Sequence, residues 1–152
     1  MKKFYLSVLS LILLSGCSAS GPMYKPSEIS SDKNAMIYVY RPSQFVNGGG
    51  YPEIKINNKS IGPLKNGGYL YKEVEAGKYT VLSEGNIMNW NFPDINVPVI
   101  LKQGETAYLR LLSSASTSAI VGSMVYMGRD SNLHLVKPEH AKQEIKTMRL
   151  SN

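Results

Sequence analysis

Cys17 is the one residue of this sequence whose type alone marks it for covalent chemistry. It is the only cysteine among the 152 residues, so it has no partner within the chain for a disulfide. A thiolate is a strong nucleophile. The sulfur of Cys17 is therefore expected to be used in a modification rather than in a structural bridge.

The histidines and paired carboxylates do not assemble a recognisable reactive set. His134 falls in a predicted strand, and His140 and Glu144 are four residues apart on a predicted helix. Two such ligands could share a metal ion, but a zinc site needs a third protein ligand. Glu73 and Glu75 share a strand face but flank a turn, where surface charge is the expectation. The sequence predicts no catalytic residue, no metal and no cofactor, and hence a protein that is not an enzyme.

Aromatic side chains form a candidate ligand or partner surface. Tyr38 and Tyr40 share one strand face, and Tyr69 and Tyr71 share another. Such residues can form a cross-strand ladder in the sheet, or a platform for a glycan or a partner. Trp90 lies in a predicted loop, where it could anchor an interaction or close the end of the fold.

The N-terminus has the three-part layout of a secretory signal peptide. Lys2 and Lys3 precede an apolar run from Phe4 to Leu14, and small residues follow. The run has 11 residues, whereas a membrane-spanning helix needs about 20. Residues 1–16 are therefore expected to be removed.

The end of this segment resembles the lipobox of bacterial lipoproteins. Leu14, Ser15, Gly16 and Cys17 match it at all four positions. The resemblance implies cleavage before Cys17, a diacylglycerol thioether on its sulfur, and an acylated N-terminus. Ser18 follows the cysteine, which the resemblance associates with an outer-membrane protein that faces the periplasm.

The composition of the mature chain fits one modest domain. Residues 17–34 are expected to form the lipidated N-terminus and a Ser-, Gly- and Pro-rich tether, and residues 35–152 a single domain with enough chain for a core. The net charge of +6 falls to +4 without residues 1–16. This favours anionic neighbours, but the basic residues are dispersed, which argues against nucleic acid.

The hydrophobic pattern predicts an all-β fold, a small antiparallel β-sandwich with a short C-terminal helix. Short strands alternate with turn residues, and Pro98 marks an edge strand. Ala141, Ile145 and Met148 share one face of the helix. The expected strands are 35–41, 52–57, 60–64 and 67–74, then a Gly-containing turn and a strand within 75–84, then strands 94–102 and 106–112. A loop over 113–119, a hairpin of 120–127 and 131–136 around "GRD", and a helix over 138–150 follow.

Much of the chain resembles a family of small bacterial lipoproteins, domain of unknown function 2846. The resemblance rests on "AMIYVYRP" (35–42), "IKINNKSIGPLKNGGYLYKEVEAGKYTV" (54–81) and "VPVILKQGETAYLRL" (97–111). The middle segment is also similar to PEGA-type surface domains, and both resemblances imply a prealbumin-like sandwich. The family's activity is uncharacterised, so the resemblance implies no catalytic residues.

Two functions agree with these features. The first is a membrane-anchored, non-catalytic interaction or scaffolding module of the cell envelope, which holds an unknown envelope protein or cell-wall component. The alternative is a lipoprotein that binds glycan, peptidoglycan or lipopolysaccharide through its aromatic residues. In both, acylated Cys17 binds the lipid bilayer.

Substitution of the lipobox cysteine tests the predicted anchor. Metabolic labelling of cells with a fatty-acid analogue should label the wild-type protein, while Cys17→Ser should remain unlabelled because it lacks the acceptor sulfur. Equal labelling of both proteins would contradict the assignment of Cys17.

Overall fold

The protein is a small all-β sandwich with one short C-terminal helix. The structure is a computed structural model that describes residues 18–121 and 124–152, and over 115–121 and 124–129 it describes the backbone. The lipobox residues Leu14, Ser15, Gly16 and Cys17 lie outside the described residues. The described elements are β1 (Asn34–Arg41), β2 (Glu53–Ile56), β3 (Lys59–Pro63), β4 (Gly68–Glu75), β5 (Gly77–Glu84), β6 (Ile95–Leu101), β7 (Thr106–Val121), β8 (Met124–Val136), α1 (Pro138–Ile145) and β9 (Arg149–Leu150).

The strands form two sheets, with orders β8-β7-β1-β4-β9 and β3-β2-β5-β6. Asn57 and Asn58 turn the β2–β3 hairpin with φ angles of 46° and 65°, a conformation that asparagine tolerates well. β6 is an edge strand, as Pro98 predicts.

The five-stranded sheet is mixed rather than antiparallel, because β7 pairs with β1 in parallel and β9 pairs with β4 in parallel. The chain reaches β7 from the other sheet, and Gly104 brings it back beside the start of β1 with a bond from its N to Asn34 O.

β1 separates two hydrophobic cores. Ile37 and Val39 point between the sheets, where they pack with residues such as Ile54 and Leu109. The alternate residues Tyr38 and Tyr40 point to the outer face of the five-stranded sheet. This alternation follows from the two-residue period of a strand.

The C-terminal helix covers part of that outer face. Pro138 occupies its first turn, and Ala141 and Ile145 are buried against the tyrosines. Met148 is buried too, but the helix ends at Ile145 rather than continuing to residue 150. It ends there because the chain turns to pair as β9 with Gly68 and Tyr69.

The structure differs from the expected tether over residues 18–30. The backbone N of Gly21 donates to Leu150 O at 3.1 Å, and that of Tyr24 donates to Met148 O at 2.9 Å. The ring of Tyr24 packs edge-on against Tyr38 and Tyr69, with centroids 5.6 and 5.4 Å apart. This segment lacks a periodic pattern because it packs as an irregular chain over the sheet.

The last strands also differ from expectation. The predicted loop over 113–119 belongs to β7, and the predicted turn "GRD" (128–130) lies within β8. β7 and β8 form one long hairpin, in which Ser113 lies opposite Ser131 and Val121 opposite Met124. Small polar residues form a strand here because β8 satisfies their backbone hydrogen bonds. β1 ends at Arg41, so the hairpin continues past the end of the sandwich.

The packed N-terminal segment predicts a stability effect that a free tether would not show. Tyr24→Ala should lower the free energy of unfolding by about 2 kcal/mol, because it removes a half-buried ring and its aromatic contacts. Lys25→Ala, at the exposed neighbouring residue, should change it by less than about 0.5 kcal/mol. Urea unfolding followed by tryptophan fluorescence measures both, and equal effects would contradict the packed arrangement.

Candidate functional site

The aromatic residues predicted as a binding surface are mostly internal. Tyr38, Tyr40, Tyr69 and Trp90 are buried, and only Tyr71 of the five is exposed, at 41%. α1 and residues 18–30 cover the tyrosines, and two loops enclose Trp90. An exposed aromatic platform is therefore not formed by this set, which corrects the expectation for these four residues.

The tyrosines instead form a ladder across the sheet. Tyr38 lies opposite Tyr71 on β4 and opposite Tyr108 on β7, and its ring stacks on theirs with centroids 5.6 and 5.2 Å away. The hydroxyl of Tyr38 accepts a hydrogen bond from the backbone N of Ser27 at 2.9 Å. Burial raises the pKa of Tyr69. The ladder thus fastens the N-terminal segment to the sheet.

The titratable residues Glu144 and His134 belong to a network of polar contacts that holds α1 in place. Glu144 accepts a hydrogen bond from the Tyr40 hydroxyl at 2.7 Å and pairs with Arg110 at 2.6 Å. Arg110 also contacts His134 Nε2 at 3.1 Å, and His134 Nδ1 lies 2.7 Å from Asn132 Oδ1. Burial, with the nearby charge of Arg110, lowers the pKa of His134.

The two pairs that the sequence analysis set aside, His140 with Glu144 and Glu73 with Glu75, are not brought together as a site, and Glu144 and Glu73 make structural contacts. Glu144 points to the sheet rather than joining exposed His140 in a metal pair. Glu73 accepts bonds from the Asn34 side chain and from Ser30, and these lower its pKa. Among the described residues, no group of three His, Cys, Asp or Glu side chains could hold a metal ion.

The candidate site is the end of the sandwich where β1 stops at Arg41. The side chain of Arg41 is fully buried and donates to Gly50 O and to Asn47 O, each at 2.6 Å. Its guanidinium carbon lies 4.6 Å from the ring centroid of Trp90, within cation–π range. Burial lowers the pKa of Arg41 to about 10, so it stays charged at neutral pH. Arg41 therefore ties the 42–52 loop to Trp90.

Further hydrogen bonds fix the 42–52 loop. The Asn66 side chain accepts from Gln44 N and donates to Gln44 O, both at 2.9 Å. The Gln44 side chain donates to Ser113 O at 3.0 Å and accepts from Ser113 N at 3.1 Å. Two positions of the Gly48–Gly50 run leave no room for a side chain, since a Cβ would overlap the carbonyl oxygen of Gln44 at Gly48 and that of Asn89 at Gly50.

The second loop, residues 85–93, is equally organised. Asn86 and Trp90 exchange backbone hydrogen bonds of 3.0 and 2.9 Å, and the Asn86 side chain accepts from Met88 N and Asn89 N at 3.0 and 2.7 Å. Tyr51 N donates to Asn89 O at 3.1 Å, which joins the two loops. Trp90 itself packs on Phe92 with ring centroids 4.4 Å apart.

These two ordered loops expose four large apolar side chains. Phe45 and Val46 lie on the first loop and Ile87 and Met88 on the second, and we call this set the loop-end patch. Phe45 is fully exposed, and Ile87 and Met88 are 87% and 94% exposed. Neither loop contains a charged residue. Sequence reasoning missed the patch, although apolar residues inside segments assigned to loops, "QFV" and "NIM", were the available signal.

The described chain begins beside this patch. Ser18 forms a bridge with Asn66, and Ala19 N donates to Asn66 O at 3.0 Å. Ser18 lines a shallow depression together with Gln44, Phe45 and Gly48. The residue that follows Cys17 is thus placed at the loop end of the sandwich.

The family model for protein of unknown function (DUF2846) matches residues 31–124. The chain belongs to this family. The match spans β1 to β7 and includes Arg41, Trp90 and both loops, so the DUF2846 region contains the whole Arg41 arrangement. No curated protein and no solved structure matches this DUF2846 protein significantly.

The role of the buried Arg41 guanidinium can be followed by fluorescence, because Trp90, which it contacts, is the only tryptophan. Arg41→Lys should lower the free energy of unfolding by about 2 kcal/mol, since an ammonium cannot replace the forked, stacked guanidinium. It should also shift Trp90 emission to longer wavelength while far-UV circular dichroism is retained.

The matched control is Arg149→Lys, at an exposed arginine whose side chain donates to Gly21 O. This variant should leave Trp90 emission unchanged. If Arg41→Lys also left both emission and stability unchanged, the role assigned to Arg41 would be wrong.

Proposed function

We propose that this protein is a lipid-anchored, non-catalytic interaction module of the bacterial cell envelope. In this proposal, acylated Cys17 holds it in the outer membrane facing the periplasm, and the edge strand β8 binds an extended segment of a protein partner. The anchor and the location rest on the sequence of residues 1–18. The partner surface rests on the edges of the two sheets.

The observation that carries the partner proposal is the length of β8 at the edge of its sheet. β8 has 13 residues and pairs with β7 on one side. An edge strand presents backbone N–H and C=O groups that can pair with another chain. Strand addition is a common mode of peptide recognition.

The other sheet edges are less suited to strand addition. β6 carries Pro98, which lacks an N–H donor. β9 has only two residues and β3 only five. On β8, Leu135 is 51% exposed, so the edge offers an apolar side chain as well as backbone groups.

A cluster of polar side chains beside β8 supports a structural role for this part of the sheet. Arg110, Glu144 and His134 bond to one another or to the Tyr40 hydroxyl. These contacts connect α1 to β7 and β8, which stiffens the edge presented to a partner. An edge that is already ordered reduces the conformational entropy lost on binding.

Site-specific photocrosslinking in intact cells tests the proposed edge. A photoreactive amino acid at Leu135 should give a discrete adduct with one envelope protein. The same residue at exposed Gln103, in the turn between β6 and β7, is the matched control and should not give that adduct.

Mass spectrometry of the adducts decides the result. Abundant envelope proteins alone, recovered equally from both positions, would count against β8 as a partner site. Recovery of glycan fragments in place of a protein would favour the cell-wall alternative.

A further inference from the structure

We propose that the loop-end patch (Phe45, Val46, Ile87 and Met88) lies in the lipid–water interface of the membrane that holds the anchor. The bilayer, rather than a protein, is its occupant. The inference rests on the proposed acylation of Cys17, and it adds how the domain is oriented on the membrane.

Only a short distance separates the proposed anchor from the patch. Residues 18–30 pack on the sheet, so they do not act as a spacer. Ser18 and Ala19 are held against Asn66, whose side chain in turn holds Gln44, the neighbour of Phe45. Cys17 is one residue away, which is about 3.8 Å between Cα atoms. Lipid on Cys17 therefore brings the loop end to the bilayer surface.

The chemistry of the patch also suits a lipid–water interface. Its side chains are large and apolar, and Phe45 and Met88 are almost completely exposed. Residues 42–52 and 85–93 contain no Asp, Glu, Lys or Arg, so placing them at the interface requires no desolvation of a charge. Isolated exposed apolar residues are ordinary on protein surfaces, but here four are grouped on two joined loops.

The two loops also hold these side chains outward. The Asn86 side chain caps the turn that presents Ile87 and Met88. Arg41 and Asn66 fix the backbone on both sides of Phe45 and Val46. Because the loops are already ordered, insertion costs little conformational entropy.

The β7–β8 hairpin continues past the sandwich at this same end, beyond the Gln44–Ser113 contact. Its backbone register places residues 119–121 opposite 124–126. Those segments read Ala-Ile-Val and Met-Val-Tyr, again without a charged residue. The charged residues of the extension, Arg129 and Asp130, lie nearer the sandwich, opposite Ala115 and Ser114.

Spin labelling of the lipidated protein tests the inference. Because Cys17 is the only native cysteine and its sulfur is held in the proposed thioether to diacylglycerol, an introduced cysteine is the single free thiol. Phe45→Cys and Met88→Cys are labelled with a nitroxide, and Gln103→Cys at the opposite end is the matched control. Each full-length protein is reconstituted in vesicles of phosphatidylethanolamine and phosphatidylglycerol.

The readout is the ratio of nitroxide collisions with oxygen, which partitions into lipid, to collisions with a water-soluble nickel complex. This ratio should be several-fold higher at positions 45 and 88 than at position 103. A second control is a protein that cannot be lipidated, with Cys17→Ser and without residues 1–16. In detergent-free buffer its collision ratios should be low at all three labelled positions.

Mass spectrometry of each sample shows whether Cys17 carries lipid, and this distinguishes the two possible negative results. If Cys17 is acylated and positions 45 and 88 give the same ratio as position 103, the patch faces water or a protein, and the inference is overturned while the anchor stands. If Cys17 carries no lipid, the proposed acylation is wrong, and so is the membrane orientation inferred from it. Retained far-UV circular dichroism shows that each variant is folded.

Discussion

The loop end of this sandwich depends on one buried charge, the guanidinium of Arg41. A charge removed from water must find hydrogen-bond acceptors, or burial would oppose folding. Arg41 finds two in the carbonyl groups of Asn47 and Gly50, and the Trp90 ring covers it. These contacts couple the end of β1 to both loops. The loop conformation is therefore set by the same residue that ends the central strand.

A second constraint acts on the outer face of the same strand. The tyrosines of β1 and β4 are too large and apolar to remain exposed together, so α1 and residues 18–30 cover them. This covering uses up the chain that would otherwise separate a lipid anchor from the domain. Ser18 is left beside Phe45 at the loop end. Packing of the tyrosine ladder thus places Ser18, the residue after the proposed anchor, beside the apolar loop tips.

The sequence predicts the sandwich because its strongest signals are local. The period of two in β1, the Asn57–Asn58 turn and Pro98 on an edge strand depend on neighbouring residues only. The packed N-terminal segment and the strand over 113–119 depend on partners distant in the chain, Leu150 and β8, so composition predicted a tether and a loop. The burial of Trp90 and the exposure of Met88 depend on which loops meet, which no single segment encodes.

Arg41 holds both loops in the conformation that presents the patch. Amide hydrogen exchange of the full chain, compared between wild type and Arg41→Lys, tests it most directly. In Arg41→Lys we expect faster exchange in residues 42–52 and 85–93, with the amides of β1, β4 and β7 still protected. Unchanged exchange in both loops, or uniform acceleration throughout the sheets, would contradict it.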